Sequence, residues 1–339
     1  MPRARLELSR EQILAFRRRV GSLNQRMPMG TQSLRCAAWA GLQDSMPRAA
    51  QLSIHARVDR ANPATWGHPS LVQLWGPRFS NYVIARRDLA VFSLGRLPDD
   101  TRRRNKAYET AASLHAVLDG CRIPYGQAGQ QLGVHPNSLR YAAPTGSVLM
   151  RWDGAKQPVI WTVSAPPLEP QQARLELARR YLHIFGAASP ESFATWAGIK
   201  PSESRSALSA LSGELTPAHT PLGNTWILSD DEAKFRVRPE PPALARLLPS
   251  GDTYYLLWSE DRKLLVPEAK QRASLWPTRA WPGALLLGGE ISGVWRRSGR
   301  VVSIQPWRHL SNPEQKAAEA EAASLPLPGC DGAISIRWT

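Results

Sequence analysis

Between residues 103 and 228 the chain twice reads helix, helix, helix, hairpin. In the first copy, residues 103–119 place Ala107, Ala111, Leu114 and Leu118 on one helical face. A shorter helix is expected over 125–133, ending near Gly133, and Pro136 opens a third. The strand-like runs VLMRW and PVIWTV then flank the turn signal Asp153-Gly154. In the second copy residues 170–185 read as a helix stopped at Gly186. Ser189 caps a short helix with Pro190 at its first position, and Gly198 ends it. SESRSALSALSG supplies the third helix, and a wing turns around Pro221-Leu222-Gly223. Helix, helix, helix, hairpin is the order of a winged helix.

The flanks differ. Ser9 and Gln12 form a capping box for a helix over 9–20, with Ile13, Phe16 and Val20 on its apolar side. Residues 30–40 and 47–57 read as two further helices, the first stopped by Gly41 and the second opened by Pro47. A strand is expected over 71–84, broken at Gly76-Pro77, so the first hundred residues hold room for a degenerate third module. Beyond the Pro239-Glu240-Pro241-Pro242 run, TYYLLW, KLLVPE, GALLLGGEISGVWRR and RVVSIQPW read as strands of a small sheet or barrel. Residues 313–325 are expected to be helical, and ISIRWT is a last strand. The fold class expected is α+β: tandem winged helices followed by a small barrel-like β-rich domain. The boundaries fall at 1–102, 103–168, 169–240 and 241–339.

The formal charge of +15 calls for a polyanionic partner. Of 43 basic side chains 36 are Arg, whose rigid fork suits phosphate and guanine edges. The excess is concentrated, with 19 basic against 8 acidic residues in 1–110. Arg17, Arg18 and Arg19 occupy one helical turn and point in three directions, so they cannot share one patch. Cys36, Cys121 and Cys330 are scattered, which argues against structural zinc and for a reducing cytoplasm. No apolar run is long enough for a membrane span, and the N-terminus does not read as a signal peptide.

The motifs of nucleotide-binding loops, zinc proteases and serine hydrolases are absent, and the seven His are isolated. No metal or cofactor is expected. Two places carry chemistry. On the link Gln43-Asp44-Ser45, residues i and i+2 face the same way, so Gln43 and Ser45 can hold a water or a base edge together. A purely local role for these two, capping the next helix, competes with that reading. The second place is GVWRRSGRVVSI, a hairpin turning at Ser298-Gly299 with Arg296, Arg297 and Arg300 at its tip. Such a tip grips a phosphate backbone or enters a groove, although a solvated turn would look the same.

Seven segments in order carry a resemblance: GLQDSMPRAAQLSIHAR, LWGPRFSNYVI, RWDG with PVIW, YLHIFGAASPESFATWAG, LLPSGDTYYLLW, KLLVPE and GALLLGGEISGVWRRSGRVVSIQPW. Over nearly its whole length the chain resembles the bacterial winged-helix family of DNA glycosylases that unhook interstrand crosslinks and remove bulky N7-alkylated purines. In that family the catalytic signature is Gln, an apolar residue, then Gln or Asp, after a Gly-Leu pair. Gln43 matches the first position, while Asp44 and Ser45 replace the other two. The family's Arg-Gly-Thr-x-His run keeps only Arg78 here, with Phe79, Ser80 and Tyr82 in the changed positions. The basic hairpin matches the family's DNA-probing hairpin.

The resemblance implies a monofunctional glycosylase that hydrolyses the N-glycosidic bond of N7-alkylated or crosslinked purines in duplex DNA. Gln43, Asp44 and Ser45 are its expected catalytic residues. Arg48, Arg78, Tyr82, Arg296, Arg297 and Arg300 are its expected DNA contacts. A monomer acting on damaged double-stranded DNA at the nucleoid is implied, with no membrane partner. The competing reading is a non-catalytic winged-helix protein that binds DNA or recognises damage, which the changes at positions 44 and 45 would suit.

Overall fold

A computed structural model describes residues 5–46, 48–154, 156–238, 241–327 and 332–339. The expectations that rest on Pro47, Pro239, Glu240 and Cys330 lie outside those residues.

Two of three small sheets share one strand order, and the third is related to them. In the first, Asn81–Ala85 runs between Leu42–Gln43 and Leu71–Trp75. In the second, Val159–Thr162 runs between Ile123–Pro124 and Val148–Arg151. In the third, Gly223–Leu228 pairs with Leu215–Thr220, and a bridge from Ala188 to Trp226 stands where the short outer strand lies in the others. Each time the second strand of the hairpin lies between the first and the short segment preceding the middle helix, and in the third sheet Leu215–Thr220 also carries Leu6–Glu7 on its other side. The helices before these hairpins are Thr31–Ala37, Ala49–Arg57 and the 3-10 turn Pro63–Gly67; Thr101–Leu118, Tyr125–Gln131 and the 3-10 run Pro136–Thr145; and Pro170–Phe185, Pro190–Ala197 and Pro201–Ala210. The first hundred residues therefore repeat the same pattern.

Local chemistry explains where these elements start and stop. Ser9 and Gln12 cap Arg10–Val20 reciprocally. Ser189 accepts from the Ser192 N–H at the start of Pro190–Ala197, and Gly198 ends that helix with φ +72°.

The helix Arg10–Val20 packs against the third module and bonds to the C-terminal domain. Phe16 stacks on Phe235 with ring centroids 3.8 Å apart. Arg17 donates to the Phe185 and Gly186 carbonyls, Arg18 to Gly289 and Arg19 to Lys234. The three arginines thus reach in different directions and serve packing. Arg57 and Arg96 are buried as well, so part of the basic excess of the first third lies inside the molecule.

After residue 241 the strands Ala245–Leu248, Gly283–Leu287, Glu290–Ser298 and Val301–Pro306 form an antiparallel meander, with Ser335–Trp338 added in parallel at its edge. Leu247, Leu285, Trp295 and Ile304 meet Ala318 and Ala322 of the helix Asn312–Ala323. Two expectations are corrected. Among the described residues the sheet is open, its first and last strands pairing on one side only, so it is no barrel. TYYLLW and KLLVPE are not strands: 253–258 is turn and irregular chain, and Asp261–Leu265 is helix. Turn chemistry overrides the apolar pattern there, because Asp252 accepts from the Tyr254 N–H and the Tyr255 hydroxyl donates to the Pro249 and Pro282 carbonyls.

Candidate functional site

The link Gln43-Asp44-Ser45 leaves the edge of the first sheet. Leu42 and Gln43 pair with Val83 and Tyr82, and the Asp44 N–H continues the ladder to the Asn81 carbonyl at 2.7 Å. Extended backbone sends alternate side chains to opposite faces. Gln43 and Ser45 share one face, and the Gln43 amide donates to the Ser45 hydroxyl at 3.1 Å. That contact leaves the Gln43 carbonyl oxygen and the Ser45 hydroxyl hydrogen to engage a water or a sugar.

Asp44 turns the other way. It is fully buried. One carboxylate oxygen accepts from the Ala50 N–H at 2.9 Å, closing the first turn of Ala49–Arg57. The other accepts from the Gln73 amide at 2.8 Å, and the Gln73 carbonyl in turn accepts from the Trp152 N–H at 2.6 Å. Burial pushes the Asp44 carboxyl up to about 8, against the pull of the Ala50 N–H, Arg48 and Arg151. Asp44 thus holds the link in place and does not face the same space as Gln43.

A clamp on the far side positions Gln43. Arg57 forms a buried bidentate pair with Asp252 at 2.7 and 2.8 Å, and the Ser53 hydroxyl donates to the same carboxylate. This ties Ala49–Arg57 to the segment around Gly251. Gly251 has φ +73°, and a Cβ built on it would stand 3.4 Å from the Gln43 amide carbon. Glycine here answers a backbone conformation, while its backbone lies against the Gln43 side chain at contact distance.

Two open cavities lie beside the end of the link, at Ser45 and Met46. One, of about 400 Å3, has Ser45 in its wall together with Trp75, Phe79, Trp152 and Arg140. The other, of about 360 Å3, runs from Met46 and Ala49 to Trp281, Arg296 and Arg297 at the base of the basic hairpin. The hairpin strands pair from Gly293 with Pro306 to Ser298 with Val301, and residues 296–300 are exposed. Arg296 donates to the Ala280 carbonyl at 3.1 Å, which fixes its stem near the cavity rim. Met46, directly after the link, and Arg296 and Arg297, far apart in sequence, therefore line one cavity, while Arg300 sits at the hairpin tip.

The remaining expected contacts divide. Arg48 is half-buried, lies 5.1 Å over Trp66 and shares Asp153 with Arg151, which covers the same ring at 4.5 Å. Arg78 is exposed and lies over Trp258 at 4.4 Å, and its neighbours Phe79 and Ser80 line the first cavity. Tyr82 requires correction as a DNA contact. It is 1% exposed, and Gly41 and Gly76 make room for it in the core. Burial pushes its phenol up from the ordinary value. Among the described residues no helix is long and apolar enough to cross a membrane, and no His, Cys, Asp and Glu cluster could hold a metal.

Sequence reasoning missed Gln73, Arg57 with Asp252, and Arg140. The available signal for Gln73 was a single amide inside LVQLW, a run buried at every position.

A family model described as DNA glycosylase AlkZ-like matches residues 36–326. The chain belongs to the AlkZ-like DNA glycosylase family. It is a DNA glycosylase, and so a DNA-binding repair enzyme. The DNA glycosylase AlkZ of Streptomyces sahachiroi has a similar structure, with a TM-score of 0.78 and 16% identity over 98% of this chain and 100% of that one. At that identity the likeness speaks for the fold. No curated protein sequence matches the chain. In this AlkZ-like glycosylase the Gln43 link and the basic hairpin both lie within the matched residues.

Proposed function

We propose that this glycosylase hydrolyses the N-glycosidic bond of N7-alkylated or crosslinked purines in double-stranded DNA. It acts as a monomer on chromosomal DNA in the cytoplasm. The three repeated units are read as tandem winged helices over 1–102, 103–168 and 169–240, with residues 241–339 as a β-rich domain that carries the probing hairpin.

The observation that carries this reading is the Gln43–Ser45 pair, joined at 3.1 Å beside the open cavity that Ser45 lines. N7-alkylation makes the purine cationic, so it departs as a neutral base and needs no strong acid. What remains is to stabilise an oxocarbenium-like sugar and to place a water. The Gln43 carbonyl oxygen carries the partial negative charge for that cation. The Ser45 hydroxyl, anchored by the Gln43 amide, orients the water. Asp44 holds the backbone between them through Ala50 and Gln73. An open cleft also suits a lesion too large for a closed base pocket.

Arg296 and Arg297 supply phosphate contacts at the cleft rim, and Arg300 extends them at the hairpin tip. Arg48 and Arg78 add two stacked guanidinium groups.

The test is base release from duplexes carrying N7-methylguanine, a bulky N7 adduct, or a nitrogen-mustard crosslink. Release from at least the bulky or crosslinked substrate is expected. Tight duplex binding with no release from any of the three would overturn the substrate reading.

A further inference from the structure

The cavity beside Ser45 has a chemistry of its own. Its volume of about 400 Å3 lies within the range of small-molecule pockets, roughly 300–1,000 Å3. Four aromatic rings, Trp75, Phe79, Tyr125 and Trp152, contribute to its walls. It spans two modules, because Trp75 and Phe79 come from the first hairpin, Trp152 from the second hairpin and Tyr125 from the helix before that second hairpin. The Trp152 N–H is held by Gln73, so this wall is tied to the link itself.

The polar part of the lining contains Arg140 and the amides of Asn81 and Asn137, and no carboxylate. Arg140 Nε is buried without a hydrogen-bond partner among the described residues. A buried donor of this kind calls for an acceptor. A cationic purine would meet a guanidinium here and no anion. A neutral planar ring bearing a carbonyl or phenol oxygen would stack on the aromatics and accept from Arg140.

We propose that this cavity binds the flat, acceptor-bearing aromatic part of a bulky adduct, leaving the alkylated purine at Gln43. The inference rests on the reading that N7 adducts are the substrates. The pocket would set which adducts are processed fastest, by holding the group attached to N7 while the glycosidic bond faces the Gln43–Ser45 pair.

The experiment compares wild type with Arg140→Leu, and with Ser80→Trp, which fills the cavity from its wall without removing a packed side chain. The first readout is the ratio of kcat/KM for a bulky aromatic N7 adduct to that for N7-methylguanine. Both variants are expected to lower this ratio about tenfold, the size of one stacking or hydrogen-bonding interaction. An unchanged ratio, whether both substrates are unaffected or both fall equally, overturns the proposal; an equal fall points to a flipped base as the occupant. The second readout is affinity for a duplex carrying the same adduct on a 2′-fluoro sugar, relative to undamaged duplex. It does not depend on turnover, so it decides the pocket even if no base is released. A preference lost in the variants supports the pocket, and a preference absent in wild type overturns it.

Discussion

The Gln73 amide lies 2.8 Å from the Asp44 carboxylate, and both side chains are buried between the first and second hairpins. The Trp152 N–H, which can only donate, fixes the orientation of Gln73, because it demands the carbonyl end. Polarity therefore runs in one direction from the second hairpin to the link that carries Gln43 and Ser45.

Replacing Gln73 by Leu should break this relay. It leaves a buried carboxylate oxygen and a buried N–H without partners, a cost of about 1–3 kcal/mol for each. Urea unfolding should show the loss. Base release should fall more than DNA affinity, since the phosphate contacts are elsewhere. Gln73→Glu replaces the amide donor by a second carboxyl beside Asp44 and should also be less stable than wild type; equal stability of the three proteins would contradict the relay.

Gln43→Ala should remove base release while duplex affinity stays within about twofold, as expected for an interaction made only in the transition state. Single-turnover excision and fluorescence anisotropy measure the two quantities. Parallel losses in both would assign Gln43 to binding alone.

Two buried groups should give opposite pH signatures. Burial, then Arg26 and Arg246, lower His55 to about 3, below its unfolded value. Its contribution to stability is present above the unfolded value and is lost as pH falls toward 3. Asp44, raised to about 8, contributes most below its unfolded value and loses this contribution as pH rises through 8. Unfolding free energies measured across this range should show wild type losing its advantage over His55→Asn on the acid side. Its advantage over Asp44→Asn should shrink toward the alkaline side. Flat differences would contradict both assignments.

Asp252→Ala should cost about 3–5 kcal/mol, because it strands the buried Arg57 guanidinium. It should also release the Gly251 segment from Gln43. Thermal unfolding tests the first effect. For the second, excision by Asp252→Asn at a temperature where it remains folded should fall below wild type. Unimpaired excision would show that the clamp serves stability alone.

Arg296→Ala with Arg297→Ala should weaken binding to damaged and undamaged duplexes alike. The slope of log affinity against log salt should drop by about one for each phosphate no longer neutralised. A slope identical to wild type would move the phosphate-binding surface away from the hairpin.

Much of the architecture was legible because capping and turn residues mark it locally. Ser9, Ser189, Gly198 and Asp153-Gly154 each bound an element near its observed limit. The pattern failed at TYYLLW, where Asp252 and the Tyr255 hydroxyl satisfy backbone groups in a turn that periodicity cannot register. At the candidate site, alternation along the link placed Gln43 and Ser45 on one face, but nothing local revealed what Asp44 would meet. Its partner Gln73 lies 29 positions away and is brought near by sheet pairing alone. Charge counting overstated the basic surface of the first third, because Arg17, Arg18, Arg57 and Arg96 spend their donors on carbonyls and carboxylates indoors.

The two-residue strand Leu6–Glu7 lies parallel to Ala218–His219, and the helix after it packs on Phe235. The partners of this segment stand far along the sequence, in the third module and beyond it. Without that part of the chain Ile13 and Phe16 have no native surface to cover. A cut in a surface loop between modules would likewise fail to separate the pieces, since the start of the chain is stitched into its later part. The early module can thus be assembled at its sheet, yet the molecule is not closed until its third repeat arrives.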